Sequence, residues 1–508
     1  MEAPTRRLPR QIAYVIGNEG CERFSFYGMR NILATFLATT LLLDLAPEHR
    51  EEAAKGVFHT FVIGVYFFPL LGGWLADRWL GKYRVILYLS LVYTLGHALL
   101  AAFEGWRLGF YAGLSLIALG SGGIKPCVSS FVGDQFDAST RDLAKIVFDA
   151  FYWIINFGSF FATLLAPLLL RQFGPSVAFG VPGVLMALAT LVFWLGRRDY
   201  VRVPPTEADP HSFLRVCLTA LNASLPGRIG GLVALVGAVG ALFTWPALGV
   251  VPAVCLALVV VLGVGGLATW FTVDDARREH PPEAIEGVRS VLRLLVVFAL
   301  VTPFWSLFDQ KASTWVFQAA DMAKPRWFHP AQMQALNPAL VMLLIPLNNL
   351  VVFPLIRGAG IAVTPLRRMT TGLVLAGLSW VVVAGFQVWM DGARELSIAW
   401  QVLPYAILTL GEVLVSATGL EFAYSQAPER MKGTLMSFWS LSVTVGNLWV
   451  LVVDAGMGTG ALDGVAAAAG MGRLALQMGF FALFAFAAAA AFGLYARQYP
   501  VVERYRAA

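Results

Sequence analysis

Residues 18–30 read N-E-G-C-E-R-F-S-F-Y-G-M-R, and they sit inside an otherwise apolar run from about Ile12 to Leu43. At a rise of about 1.5 Å per residue that run is long enough to cross a bilayer. Four ionisable residues interrupt it: Glu19, Glu22, Arg23 and Arg30. Each costs about 2.5–3.5 kcal/mol at the centre of a membrane helix, so all four facing lipid would cost roughly 10 kcal/mol. Glu19, Glu22 and Arg23 follow an i, i+3, i+4 spacing, which places them on one helical face. That face must turn toward a polar cavity or toward other helices, the arrangement that marks an ion, proton or substrate path.

The rest of the chain agrees with a membrane setting. Of its 508 residues 58% are hydrophobic and 13% charged, with a mean hydropathy of +0.69. A soluble chain carries about twice that charge. The fold class is therefore an all-α polytopic membrane protein. The net charge of +6 is spread over short loops and makes no basic run, so it orients the chain in a membrane and implies no nucleic acid partner. Cys21, Cys127, Cys217 and Cys255 lie in apolar segments without disulfide or metal spacing and read as small packed hydrophobes. The polar start, Met1 to Arg10, leads into a segment too long for the apolar core of a cleaved signal.

Length and breaks give about fourteen spans: six near 11–43, 53–79, 83–103, 107–133, 143–170 and 176–196, two near 228–245 and 247–272, and six near 288–321, 331–356, 364–390, 397–426, 432–454 and 470–496. This is a 6+2+6 arrangement, with boundaries at 1–198, 199–282 and 283–508. The inserted pair carries almost no charge and reads as a structural or lipid-facing hairpin. Arg6, Arg7 and Arg10, then Arg78, Lys82 and Arg84, Arg197 and Arg198, Arg367 and Arg368, and Arg504 and Arg506 fall on one side. That side is the cytoplasm, so both termini are cytoplasmic.

Several spans hide polar side chains. The second carries His59 and Tyr66 on one face; a histidine there either exchanges protons or packs as a hydrogen-bonded core residue. In the fourth, G-S-G-G-I-K-P places Lys125 too deep to snorkel, so it needs a carboxylate, for which the acids of the first span are the nearest by chemistry. Asn156 in the fifth span either serves a site or bridges helices. The seventh span has Trp305 and Asp309 one turn apart, with Arg293 about 24 Å away on the same helix. The eighth begins at Asn337, the tenth holds Glu412 with Ser416 a turn on, and the eleventh holds Trp439 and Asn447. Buried aromatics at such places are more often packing than ligand walls. The first half thus supplies bases beside acids and the second half isolated acids, a pair of walls suited to a zwitterion. Neither His59 nor His97 has paired ligands at metal spacing, which leaves no metal site or membrane-embedded metalloenzyme.

Two sets of residues resemble known families. G-G-W-L-A-D-R-W-L-G-K at 72–82 resembles the major facilitator signature between the second and third helices, in which Asp77 and Arg78 act as a conformational latch. E-G-C-E-R-F-S-F-Y-G-M-R at 19–30 resembles the E-x-x-E-R-F-x-Y-Y motif of proton-coupled oligopeptide transporters. Further signatures of that family match G-S-G-G-I-K-P-C-V-S at 120–129, F-Y-W-I-I-N-F-G at 151–158, F-W-S-L-F-D-Q at 304–310 and G-L-E-F-A-Y-S-Q-A-P at 419–428.

The resemblance implies a major facilitator fold of two six-helix bundles plus two inserted helices. It implies a symporter, not an enzyme, that imports di- and tripeptides across the cell inner membrane. Protons are its coupling ion, no other cofactor is expected, lipid surrounds it, and it works as a monomer. Arg23 and Lys125 would hold the peptide carboxylate with Asn156 nearby, and Glu412 and Asn337 would receive the amino terminus. Tyr27, Tyr66, Trp305, Ser416 and Trp439 would shape side-chain pockets. Glu19, Glu22, His59 and Asp309 would carry proton coupling, and Arg30 with Asp309 would form the periplasmic gate. The sequence departs from the family pattern twice: Phe26 replaces the first of two tyrosines, and Asn349 stands where animal members have an Asp, which puts a partner for Arg293 in doubt.

Overall fold

The computed structural model of the chain describes residues 9–136, 141–205, 209–426, 431–458, 463–468 and 470–500. Arg6, Arg7, Arg504, Arg506 and the last two residues of the 419–428 motif lie outside the described residues. The chain is helical throughout its spans. The first six are α1 (Gln11–Phe36), α2 (Pro47–Leu80), α3 (Lys82–Ala102), α4 (Arg107–Asp134), α5 (Arg141–Phe173) and α6 (Pro175–Leu195). A short amphipathic helix, α7 (Phe213–Ala223), precedes the inserted pair α8 (Leu225–Leu242) and α9 (Val250–Arg278). The last six are α10 (Pro282–Asp309), α11 (Pro330–Gly358), α12 (Pro365–Asp391), α13 (Ile398–Ala423), α14 (Lys432–Gly458) and α15 (Arg473–Gln498).

Among the described residues, thirteen helices are long and apolar enough to cross a membrane. The helix α1 joins them as a fourteenth span, apolar but for the four charges it buries or half-buries. The inserted pair sits a few residues from its expected place, because Pro226 starts α8 and Gly249, at φ +87°, starts α9. This hairpin is more than a lipid-facing appendage. The helix α9 packs against both α2 and α14, and Cys255 closes a small cluster with Ile63, Leu448 and Leu451.

Within the first six helices α1 packs on α5 and α6, and α3 on α4 and α6; within the last six α10 packs on α14 and α15, and α12 on α13 and α15. Small residues permit the close approaches, as they do where lipid supplies no hydrophobic drive between helices. A Cβ on Gly72 of α2 would lie 2.1 Å from the Gly123 carbonyl oxygen of α4. One on Gly446 of α14 would lie 2.6 Å from the Cβ of Trp305 on α10.

The most extensive packing between the halves pairs α2 with α14 and α5 with α11. The bonds across this seam lie toward the end that carries neither terminus and, for Thr444 with Ile63, at mid-span. Gln332 Nε2 donates to the Leu164 carbonyl at 3.1 Å, Arg171 Nη1 to that of Arg326 at 2.8 Å, and Thr444 Oγ1 to that of Ile63 at 3.3 Å. At the opposite end, Gly81 (φ +76°) turns the chain between α2 and α3, and Lys82 Nζ reaches Asp134 Oδ2 on α4 at 2.7 Å. The signature loop is thus tied to α4 through its terminal lysine as well as carrying Asp77 and Arg78.

Candidate functional site

The acids and bases of α1 fold onto one another. Arg23 Nε lies 2.5 Å from Glu19 Oε1 and 3.1 Å from Glu22 Oε2, with both carboxylates buried. The i, i+3, i+4 spacing produces this cluster directly. One turn on, the Phe26 ring is buried against Phe61 of α2, and Tyr27 meets it edge-on at 5.4 Å.

Lys125 corrects an expectation. Among the described residues it makes no ion pair with an acid of α1. Its ammonium instead lies over two aromatic faces, 4.1 Å from the Phe26 centroid and 4.5 Å from that of Tyr66. Ring quadrupoles attract a cation without neutralising it. Phe26, the departure from the paired-tyrosine motif, is therefore one of the two faces that hold this lysine. Lys125 remains within electrostatic reach of Arg23, Glu22, Arg30 and Asp309, so it belongs to the same polar interior.

Arg30 and Asp309 meet across the two halves. Arg30 Nη2 donates to Asp309 Oδ1 at 2.5 Å, and the two side chains are 8% and 3% exposed. Asp309 Oδ2 accepts from Asn447 Nδ2 at 2.7 Å. The amide oxygen of Asn447 lies 2.6 Å from His59 Nδ1, whose other nitrogen lies 3.0 Å from Ser313 Oγ. Asn447 Oδ1 can only accept, so His59 Nδ1 carries a proton and donates. His59 is thus a node in a buried relay from α1 through α10 and α14 to α2. The sequence marks Asn447 as a polar residue of its span but gives it no role, and Ser313 is not marked at all; their partners appear only where four helices meet.

The second half differs from the expected wall of isolated acids. Besides Asp309, Glu412 is also held: Asn337 Nδ2 donates to Glu412 Oε2 at 2.5 Å and shares a contact of 3.1 Å with Thr409 Oγ1. Asn337 Oδ1 in turn accepts from Lys311 Nζ at 2.7 Å. Lys311 is 5% exposed and sits over the Phe308 ring. The amide therefore bridges a buried base and a half-buried acid. Lys311 is the main residue the sequence reading missed; its signal was a lysine two positions after Asp309 in an apolar span. The π-helical segment Val413–Ala417 follows Glu412, a form of helical irregularity often found at functional sites.

The remaining candidates are placed less directly. Trp305 and Trp439 are both 7% exposed and meet edge-on at 6.0 Å. Asn156 spends its donor on its own helix, Nδ2 reaching the Tyr152 carbonyl at 3.0 Å. Ser416 is half-buried. Tyr27 lies within electrostatic reach of both Arg23 and Glu412, and Tyr152 of both Tyr27 and Glu412, so the two halves share one interior. Arg293 finds its partner on its own helix, Glu286 Oε1 at 3.2 Å, while Asn349 is exposed.

The comparisons with known proteins agree on a family. The model described as "PTR2: POT family" matches residues 83–457. A crystal structure of an auto-inhibited POT family peptide transporter is 57% identical, with a TM-score of 0.95 over 98% of this chain and 99% of that one. The structure of the POT family transporter PepTSo is 60% identical, with a TM-score of 0.95 over 97% and 99%. Mouse (Mus musculus) solute carrier family 15 member 2 is 34% identical over 437 residues, which are 81% of this chain and 54% of that protein. The chain thus spans about half the length of the curated relatives it matches. With a family model over most of the chain and relatives of known structure along nearly all of it, the chain belongs to the POT family, a family of transporters with the major facilitator fold.

Proposed function

We propose that this chain is a proton-coupled symporter that imports di- and tripeptides by alternating access. The observation that carries the reading is the pairing of two largely enclosed, charge-bearing clusters around one interior. Arg23 with Lys125 faces one end of a short zwitterion, and Glu412, held by Asn337 and Lys311, faces the other. The printed names of its relatives, peptide transporter among them, point the same way.

In this reading Arg23 and Lys125 bind the peptide carboxylate, with Asn156 nearby. Because Lys125 rests on rings and pairs with no carboxylate among the described residues, its positive charge remains available to an incoming anion. Glu412 and Asn337 take the amino terminus, exchanging the Lys311 contact for the peptide ammonium. Tyr27, Tyr66, Trp305, Ser416 and Trp439 shape the side-chain pockets. Protons act at Glu19, Glu22, His59 and Asp309. An ionised Glu22 competes with the peptide for Arg23, and protonation releases that base. The Arg30–Asp309 contact is the outer gate, here closed.

The working units are the segments 1–198 and 283–508, rocking about a midplane site, with 199–282 as linker and inserted pair. The protein acts as a monomer in the cell inner membrane with both termini cytoplasmic, which makes the gated end periplasmic. The test is uptake of labelled dialanine into proteoliposomes under an imposed pH gradient. Accumulation that stalls without the gradient and is lost in Glu22→Gln is the expected result. Gradient-driven accumulation in Glu22→Gln overturns the coupling scheme, unchanged dialanine uptake in Glu412→Gln overturns the role of Glu412 at the amino terminus, and uptake of nitrate with none of dialanine points to a small anion as cargo.

A further inference from the structure

On the flank of α13 away from Glu412 lies a crevice of about 1830 Å³, bounded by α11, α12, α13 and α15. Leu410 and Leu414 line it from α13, Leu375 from α12, and Phe486 and Ala490 from α15. The separation of Leu410 and Glu412 by two residues, about 200° around a helix, turns this wall away from the interior described above. The crevice therefore opens toward the surroundings of the protein, which in a membrane are lipid.

Its charge is one-sided. Arg367, Arg368 and Arg497 line one end, against the single carboxylate of Glu421. These arginines lie in the first turn of α12 and the last turn of α15, at the end that carries the termini. Arg367 already gives one N–H to the Ala362 carbonyl at 3.1 Å. Arg368 is different: its guanidinium lies 5.3 Å from the Phe353 centroid, and its Nε is buried without a hydrogen-bond partner among the described residues. A buried donor with no acceptor is uncommon in a native structure and asks for an explanation. Cations at the ends of spans stand at the level of lipid phosphates, and basic clefts between helices are suited to anionic head groups.

We propose that this crevice binds an anionic phospholipid, its phosphate held by Arg368 and Arg497 and an acyl chain lying along Leu375, Leu414 and Phe486. The site rests on the membrane placement of these helices and not on the identity of the cargo. Guanidinium groups match phosphate oxygens bidentately, while the apolar wall removes the chain from competition with water.

The test uses the full chain, delipidated in detergent and titrated with phosphatidylglycerol or phosphatidylcholine, with retained lipid counted by native mass spectrometry. The expected result is one phosphatidylglycerol bound at least about tenfold more tightly than phosphatidylcholine. Arg368→Gln with Arg497→Gln should abolish that preference, whereas Arg228→Gln on α8 should leave it intact. Ala490→Trp, which fills the crevice and keeps every charge, should also release the lipid, and it decides the matter if the arginine variant does not fold. Equal retention of the two lipids, or a folded Ala490→Trp protein that still prefers phosphatidylglycerol, overturns the proposal. So does full displacement of the lipid by millimolar inorganic phosphate, which would make the site one for a free anion.

Discussion

Removing one partner of the Arg30–Asp309 pair should open the end that carries no terminus. The two groups meet at 2.5 Å with side chains 8% and 3% exposed, so this is a buried pair that solvent does not screen. Truncating one member of such a pair costs about 3–5 kcal/mol, because the other charge stays buried and uncompensated. At about 1.4 kcal/mol per factor of ten, Asp309→Ala should shift the closed-to-open ratio by roughly 10²–10³·⁵. Spin labels at Glu48 in the first turn of α2 and at Glu395 between α12 and α13, both exposed, report this end by pulsed electron resonance. The expected outcome is a distance distribution in which the longer population dominates in Asp309→Ala. Replacing both partners, Arg30→Met with Asp309→Leu, removes the stranded charge and should return the shorter population, since apolar replacement of a buried pair is often neutral or stabilising. An unchanged distribution in the single variant, or an open one in the double variant, refutes the idea that this ion pair holds the end shut.

Three further outcomes follow from other contacts. Lys311→Met takes the charged donor away from the Asn337 amide that holds Glu412; a hydrogen bond with a charged partner is worth about 1.5–3 kcal/mol, so the KM for dialanine should change on the order of 10–100-fold while expression holds. Gly72→Ala drives a methyl into the Gly123 carbonyl and should lower Tm by the equivalent of about 1–3 kcal/mol, whereas Gly73→Ala, which meets nothing within 4 Å, should leave Tm unchanged. In the linker, His211 Nδ1 lies 2.9 Å from His280 Nδ1, and His280 Nε2 lies 3.0 Å from Thr219 Oγ1 of α7. One proton between two facing nitrogens makes a bond; two make a repulsion. Burial first, and then His211, hold the His280 imidazole below its ordinary 6.5, so the folded linker binds fewer protons than an unfolded one. The contribution is complete above about pH 6.5 and is lost as pH falls from there through the lowered folded-state value, so the hydrogen-exchange protection factors of Phe213–Ala223 should fall between pH 7.5 and 5.5 and lose that dependence in His280→Asn.

The membrane class and the helix count were legible in the sequence because both follow from apolar length, which is local. So was the inward turn of α1, because four charges in one span leave no cheaper arrangement. What stayed hidden depends on which helices become neighbours. Lys125 had to avoid lipid, but nothing in its own span shows that rings of α1 and α2 lie beneath it. Asn447 and Ser313 are ordinary polar residues until His59 arrives between them from another helix. Lys311 is the instructive case. A lysine beside a charged motif reads as a helix end, and only the turn that follows Asp309 shows it folded back over Phe308 to meet Asn337.

Asp309 and Lys311 stand two positions apart where α10 gives way to a short 3-10 turn, and they face different company. The first grips α1 in the opposite half, and the second grips α11 and, through an amide, α13. One short peptide therefore joins both contacts. Under the proposed function, in which Arg30–Asp309 is the gate and Glu412 receives the amino group, any tilt that lifts its tip from Arg30 also moves the ammonium that steadies the Asn337–Glu412 bond, so unlocking the doorway and freeing the seat would be a single stroke.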